Sequence, residues 1–193
     1  MDPAIYLLLA SLLMAFAYFV FRQIVGRSYL NHGHLTLGTS LLQLLVFACY
    51  FLFPLSFNPP EWSFFWQYSG ENLPFLHYIG LILICAGFVV AFGTMGWFGM
   101  RKAFGLKEEG LTRTGPYKIS RNPQILGGYL LVLGTFMQWP SFYALGWAMI
   151  WVVIAHWMVV TEEEHLAQLF GEEYKAYCAE VPRYVIRPSK TKD

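Results

Sequence analysis

The chain has 193 residues, 56% of them apolar and only 13% charged, with a formal net charge of +1. A water-soluble domain averages about 25% charged residues, so this chain lacks the polar surface to cover a globule in water. Its length fits one domain, and its small net charge offers nothing for a nucleic-acid backbone to hold.

A membrane-crossing helix needs about 20 mostly apolar residues, at 1.5 Å each, to cover about 30 Å of hydrocarbon. The first predicted span covers residues 4–21, "AIYLLLASLLMAFAYFVF". It has no basic residue before it and Arg22 just after, which reads as an anchor rather than a cleaved signal peptide. The second span runs roughly from Leu37 to Phe57. The loop over 58–75 is rich in Trp, Phe, Tyr and Pro, a composition that suits an aromatic belt at the membrane interface; an outer lid over a binding site is the sharper alternative. The third span covers about Leu76 to Phe98, where Gly80, Gly87, Gly93 and Gly96 would allow close helix contacts.

The apolar run from Ile125 to Val160 is too long for one span. It breaks at "QWPS", residues 138–141, where Pro140 removes a backbone donor. The prediction is a helical hairpin, with a rather short span at 125–139 and another at 142–160. In the tail, Leu166, Leu169, Phe170, Tyr174, Tyr177 and Val181 recur at three- and four-residue spacing, interrupted at Gly171. That is an amphipathic helix, which can lie on the membrane surface or fold back over the bundle. The expected fold class is therefore all-α: a polytopic membrane protein with about five transmembrane helices and an amphipathic helical tail, forming a single integral membrane domain.

Charge placement fits five spans. Residues 22–36, 99–124 and 161–193 hold all 13 Lys and Arg, whereas the opposite side carries only Asp2, Glu61 and Glu71. The excess of basic residues puts the N-terminus outside and the C-terminal tail in the cytoplasm. The three cysteines make no framework: Cys49 and Cys85 lie in apolar runs, Cys178 in the tail, and no C-x-x-C pair exists.

The most punctuated polar stretch is "GPYKISRNPQILGG", residues 115–128. Pro123 suits the first turn of a helix, where its missing N–H costs nothing, and Asn122 before it is a natural N-cap. The free N–H groups of that helix end favour anions. Arg121 adds a guanidinium able to grip a carboxylate through two bonds. Gly127 and Gly128 allow another backbone or a ligand to approach. Two readings follow: an anion site at the membrane surface, or a well-capped transmembrane helix with an arginine among the headgroups.

Glu162, Glu163 and Glu164 follow the last span directly. Thr161 and Glu164 fit a capping box, and a solvated acidic turn is a second structural reading. As ligand groups, the carboxylates would accept bonds from paired hydroxyls or an amine. His156 lies within the last span, seven residues before Glu163, so the two share a helix face. An ionisable residue inside a membrane is a functional candidate, although a neutral histidine bonded to a neighbouring helix accounts for it too. His32 and His34 form only H-x-H, while His77 and His165 stand alone, so no metal cluster is expected.

The order of these motifs resembles the isoprenylcysteine carboxyl methyltransferase and phospholipid methyltransferase superfamily, small integral membrane enzymes that use S-adenosylmethionine. The family signature is G-P-Y, then R-H-P-x-Y-x-G, a helical hairpin, and a double glutamate eight residues before F-G-x-x-Y. The matching residues are Gly115, Pro116, Tyr117, Arg121, Pro123, Gly127, Glu162, Glu163, Phe170, Gly171 and Tyr174. The resemblance covers roughly residues 80–187 and implies a catalytic core over 76–193, with the first 75 residues forming two spans of unread role. It implies Arg121, Asn122, Pro123, Gly127, Glu162 and Glu163 as cofactor residues, with Tyr117 and Gln124 as weaker ones. Arg121, Glu163 and His156 are the catalytic candidates, His156 from its place within the last span. The family histidine is Asn122 here, and the tyrosine after the proline is Ile125. Where the prenylcysteine enzymes read R-V-P, this chain has Glu180 and places Arg183 three residues later, which makes Arg183 the substrate candidate. The expected acceptor is a lipophilic membrane molecule: a prenylcysteine-like carboxylate, a phospholipid amine or a thiol. The alternative is an NADPH-dependent membrane reductase related to sterol reductases, which share a similar R-H-P segment.

Overall fold

The computed structural model describes residues 1–57, 74–98 and 110–185. The aromatic loop expected at the outer interface falls almost wholly outside the described residues, as does the basic stretch 99–109. Among the described residues the structure is helical and contains no strand.

Helix α1, Pro3–Tyr18, starts at Asp2, whose carboxylate accepts the backbone N–H groups of Ala4 at 2.7 Å and Ile5 at 3.4 Å. It continues through a π-helical segment, Phe19–Val25, into α2, Gly26–His32, making one 30-residue rod from Pro3 to His32. Gly33, at φ 70°, ends it in the left-handed conformation. The predicted first span stopped at residue 21. The helix runs on past Arg22, which is tied to residues far along the chain: its Nη1 donates to Thr161 Oγ1 at 2.9 Å and its two Nη atoms donate to both oxygens of Glu164.

Thr36 caps α3, Leu37–Leu52, by accepting the N–H of Thr39. Pro54 opens a further short turn, α4, Pro54–Phe57, and Leu37–Phe57 together form a span-length helix as predicted. Helix α5 is Pro74–Phe98, α6 is Pro123–Gln138 and α7 is Phe142–Glu180. Pro140 breaks the chain between α6 and α7, and Ser141 caps α7 by accepting the N–H of Ala144 at 3.1 Å. Among the described residues, four helices have the length and apolarity to cross a membrane. The fifth, α6, has 16 residues and reaches only about 24 Å.

Helices α5 and α6 are zipped by glycines. A Cβ on Gly80 would lie 2.8 Å from the Gly134 carbonyl oxygen, and one on Gly87 2.7 Å from that of Gly127. The two pairs are seven residues apart on each helix, as antiparallel helices two turns long require. Gly93 and Gly96 take no part, since a Cβ there would meet nothing within 4 Å.

The main core packs the α1 rod and α3 against α7. Tyr50 and Trp147 stack at 4.9 Å and exchange hydrogen bonds to each other's carbonyls. A second, smaller core forms where α7 breaks at Gly171 (φ 49°, ψ −119°): Tyr174, Tyr177 and Val181 pack on Leu111, Leu166 and Phe170. The amphipathic tail thus folds back over the bundle. Arg121 N–H donates to the Pro182 carbonyl at 2.9 Å, Ser120 Oγ to that of Arg183 at 3.1 Å, and Tyr177 hydroxyl to that of Tyr117 at 2.7 Å.

Candidate active site

The start of α6 brings the polar stretch to one place. A 3₁₀ turn, Gly115–Lys118, is followed by Ser120, whose hydroxyl accepts the N–H of Asn122 at 3.1 Å. Asn122 holds the N-cap position as expected, but its side chain does not cap. Its Nδ2 points to the folded-back tail and donates to the Arg183 carbonyl at 3.3 Å. The amide is turned toward the tail, and its oxygen accepts no N–H of the first turn.

Glu163 lies at the centre. Its Oε1 is 3.1 Å from Arg121 Nη1, while Arg183 Nε is 3.1 Å from both carboxylate oxygens and Arg183 Nη2 is 2.6 Å from Oε2. The Glu163 side chain is only 11% exposed and that of Arg121 13%. A carboxylate so withdrawn from water requires this pairing, and removing one partner of such a pair costs about 3–5 kcal/mol. Arg121 Nη1 also donates to the Tyr174 hydroxyl at 3.4 Å and to Cys178 Sγ at 2.7 Å, while its Nε is buried without an acceptor. The hydrogen bond to Glu163 raises the pKa of Arg183, so this cation is permanent.

The helix continues through Glu162–Glu164 to its break at Gly171. The capping box and the acidic turn are both excluded: Thr161 is helical and buried, and its hydroxyl accepts from Arg22. The acidic triplet lies mid-helix, far from the dipole's unfavourable end, and fans outward. Glu164 goes to Arg22, Glu163 to the arginine pair and Glu162 to the cavity.

One cavity collects Tyr117, Arg121, Asn122, Pro123, Gln124, Glu162 and Glu163. Gln124 Nε2 donates to the Tyr117 hydroxyl at 3.3 Å. Burial, and then the charge of Glu162, push the Tyr117 phenol above its ordinary pKa, so it stays a neutral donor. Among the described residues, no three His, Cys, Asp or Glu side chains converge to hold a metal ion.

Two expected residues lie elsewhere. Gly127 is buried against α5, where a Cβ would sit 2.6 Å from Ala91 N; it lets helices meet and does not line the cavity. His156 is exposed and absent from the lining. It shares a face with Glu163 but lies two turns deeper, about 10 Å along the axis, beyond the reach of Arg121 and Arg183. Arg183 reaches the site through Glu163.

Sequence reasoning missed the opposite wall. Val25 and Tyr29 of the first rod, Leu35 of the connection and Gln43 of α3 line the same cavity. Tyr29 stacks on the buried His165 at 4.0 Å and 9°. Gln43, a polar residue inside an apolar run, was the one signal that pointed there.

A family model described as phospholipid methyltransferase matches residues 75–173, just over half the chain. No curated protein and no solved structure matches the chain.

Proposed function

The chain belongs to the phospholipid methyltransferase family, and from that premise we propose that it is an S-adenosylmethionine-dependent methyltransferase acting on a lipophilic acceptor held in the membrane. The observation that carries the reading is the cavity in which Glu162 and the Arg121–Glu163–Arg183 cluster meet Tyr117, Asn122 and Gln124. Its donor set suits this cofactor. Arg121 retains a buried Nε without an acceptor beside the cavity, available to an anionic group. The carboxylate of Glu162 accepts hydroxyls or an amine, and neutral tyrosines present flat faces to a base or an onium group.

The cofactor supplies an electrophilic methyl group on a sulfonium. The chain's part is to align the acceptor and to exclude water. Glu163 fixes two guanidiniums in place, which makes it a hub for orientation rather than a free base, because both of its oxygens are already engaged. A carboxylate or thiolate acceptor needs no base. An ammonium acceptor must first lose a proton, and Glu162 at the cavity is the group that takes it. Arg121 orients an anionic group of the cofactor or the acceptor.

The same reading treats the chain as a single integral membrane domain with its catalytic core over residues 76–193, its N-terminus outside and its tail in the cytoplasm. The family match lends nothing to the reductase alternative.

The test is calorimetric titration of detergent-solubilised protein with S-adenosylhomocysteine. Wild type binds, and Glu163→Gln weakens binding by at least about tenfold. That variant leaves two arginines without their counter-charge, so Glu162→Gln, which leaves the Arg121–Glu163–Arg183 cluster intact, is measured beside it. No binding by a folded wild-type sample would end the cofactor assignment.

A further inference from the structure

The first two spans lie outside the family match, which begins at residue 75, yet they form one wall of the cavity. On α3 the stripe that faces the bundle is Thr39, Ser40, Gln43, Val46 and Tyr50, at helical spacing. Its polar members differ. Thr39 Oγ1 and Ser40 Oγ donate to the Thr36 carbonyl at 2.8 and 3.2 Å, so both hydroxyls are satisfied locally. Gln43 lines the cavity and makes no hydrogen bond to any described residue. A polar side chain inside a membrane span is costly without a partner and marks a functional position.

The depth of Gln43 narrows its partner. It is six residues into α3, about 9 Å along the axis, and borders the same cavity as Met158, Ile125, Val25 and Leu35. Met158 precedes Glu162 by about one turn on α7. The cavity therefore grades from a charged end at Glu162 and Glu163 to an apolar end one turn deeper, where Gln43 supplies the lone amide. A glycerolipid has the same gradation. Its headgroup is charged, its ester carbonyls lie a few ångströms deeper, and its chains follow. An ester carbonyl accepts hydrogen bonds and donates none, which suits the Nε2 of an unpaired glutamine.

We propose that Gln43 is a specificity-determining residue that donates a hydrogen bond to an ester carbonyl of a glycerolipid acceptor, with Met158, one turn deeper than Glu162, beside the start of its chains. The inference rests on the methyltransferase reading above and adds to it the residue that selects an ester-linked acceptor.

The test follows tritium transfer from methyl-labelled S-adenosylmethionine into lipid, using two vesicle preparations. One contains diacyl phosphatidylethanolamine and phosphatidylglycerol; the other contains their dialkyl-ether analogues, which lack the ester carbonyls. Wild type favours the diacyl vesicles about tenfold in kcat/KM, the value of one lost hydrogen bond. Gln43→Leu, similar in size and suited to an apolar span, loses that preference by falling to the ether rate on both. Gln43→Asn, which keeps the amide on a shorter arm, recovers part of it. S-adenosylhomocysteine affinity stays within about twofold in both variants. A preference that survives in Gln43→Leu, a wild type indifferent to the ester, or a loss of cofactor affinity equal to the loss of transfer would overturn the inference. So would transfer to neither preparation by a wild type that binds S-adenosylhomocysteine. A wild type that fails to bind S-adenosylhomocysteine would sink the methyltransferase reading itself, and this inference with it.

Discussion

Gly127 separates two accounts of the same glycine. As part of a signature beside Arg121 and Pro123, it is expected to let a ligand approach; in the structure it lets α6 approach α5. A Cβ added at Gly127 would stand 2.6 Å from Ala91 N and 2.8 Å from both Ala91 Cβ and the Gly87 carbonyl oxygen, where ordinary contact begins at 3.4 Å. None of these atoms is the flexible end of a side chain, so the helices must part locally by about 1 Å. Overpacking of this kind costs about 1–3 kcal/mol, which for a chain of this size lowers the melting temperature by about 2–12 °C. The assay is thermal unfolding of Gly127→Ala in detergent, paired with S-adenosylhomocysteine titration well below the transition. The expected result is a lower melting temperature with cofactor affinity within about threefold of wild type. Gly93→Ala is the control on α5, because a Cβ there meets nothing within 4 Å, and its melting temperature should not fall. Lost cofactor affinity at an unchanged melting temperature would refute the packing argument and return Gly127 to the site.

His156 and Tyr117 give two further tests. His156→Ala should leave transfer and cofactor binding within about twofold of wild type, since the ring is exposed and outside the cavity; a collapse of turnover with intact binding would restore it to the catalytic set. Tyr117 has its pKa raised by burial and by Glu162, so the folded state holds the phenolic proton more tightly than the unfolded state does. Its stabilising effect is complete below the unfolded value of about 10 and is lost as pH rises above it. The melting temperature should therefore decline above about pH 10, and Tyr117→Phe should decline less steeply; identical slopes would show that this phenol titrates alike in both states.

Local pattern carried much of the fold. The apolar runs gave the spans, Pro140 the hairpin turn, and the three- and four-residue spacing the tail helix that Gly171 breaks. Each of these depends on residues within a turn or two of one another. What stayed hidden depends on pairs far apart in the chain. Arg22 looked like the flank of a span because its partners, Thr161 and Glu164, come about 140 residues later. The glycine zipper was half visible, since four glycines in α5 looked alike and only the packing of α6 selects Gly80 and Gly87. At the site, motif order gathered seven residues into one cavity, but spacing alone could not tell which glutamate points where. Glu162, Glu163 and Glu164 are consecutive, and the helix turns each about 100° from the last. The result is three carboxylates with three different surroundings.

That fanning also ties the N-terminal spans to the chemistry. Thr161 and Glu164 are three residues apart and so share a face, and Arg22 grips both from the π-helical segment of the first rod. A π-turn shifts the register of every residue after it relative to an ordinary helix, so the placement of Tyr29 beside His165 and the cavity depends on the same segment that delivers Arg22. The clamp to Glu164 is partly exposed and adds little stability by itself. Its effect is on orientation. With Thr161 and Glu164 fixed to the first rod, α7 cannot rotate without breaking those bonds, and Glu162 and Glu163 stay turned toward the start of α6. The wall that carries Gln43 and the helix that carries the carboxylates are therefore held in one register by contacts from outside the family-matched core.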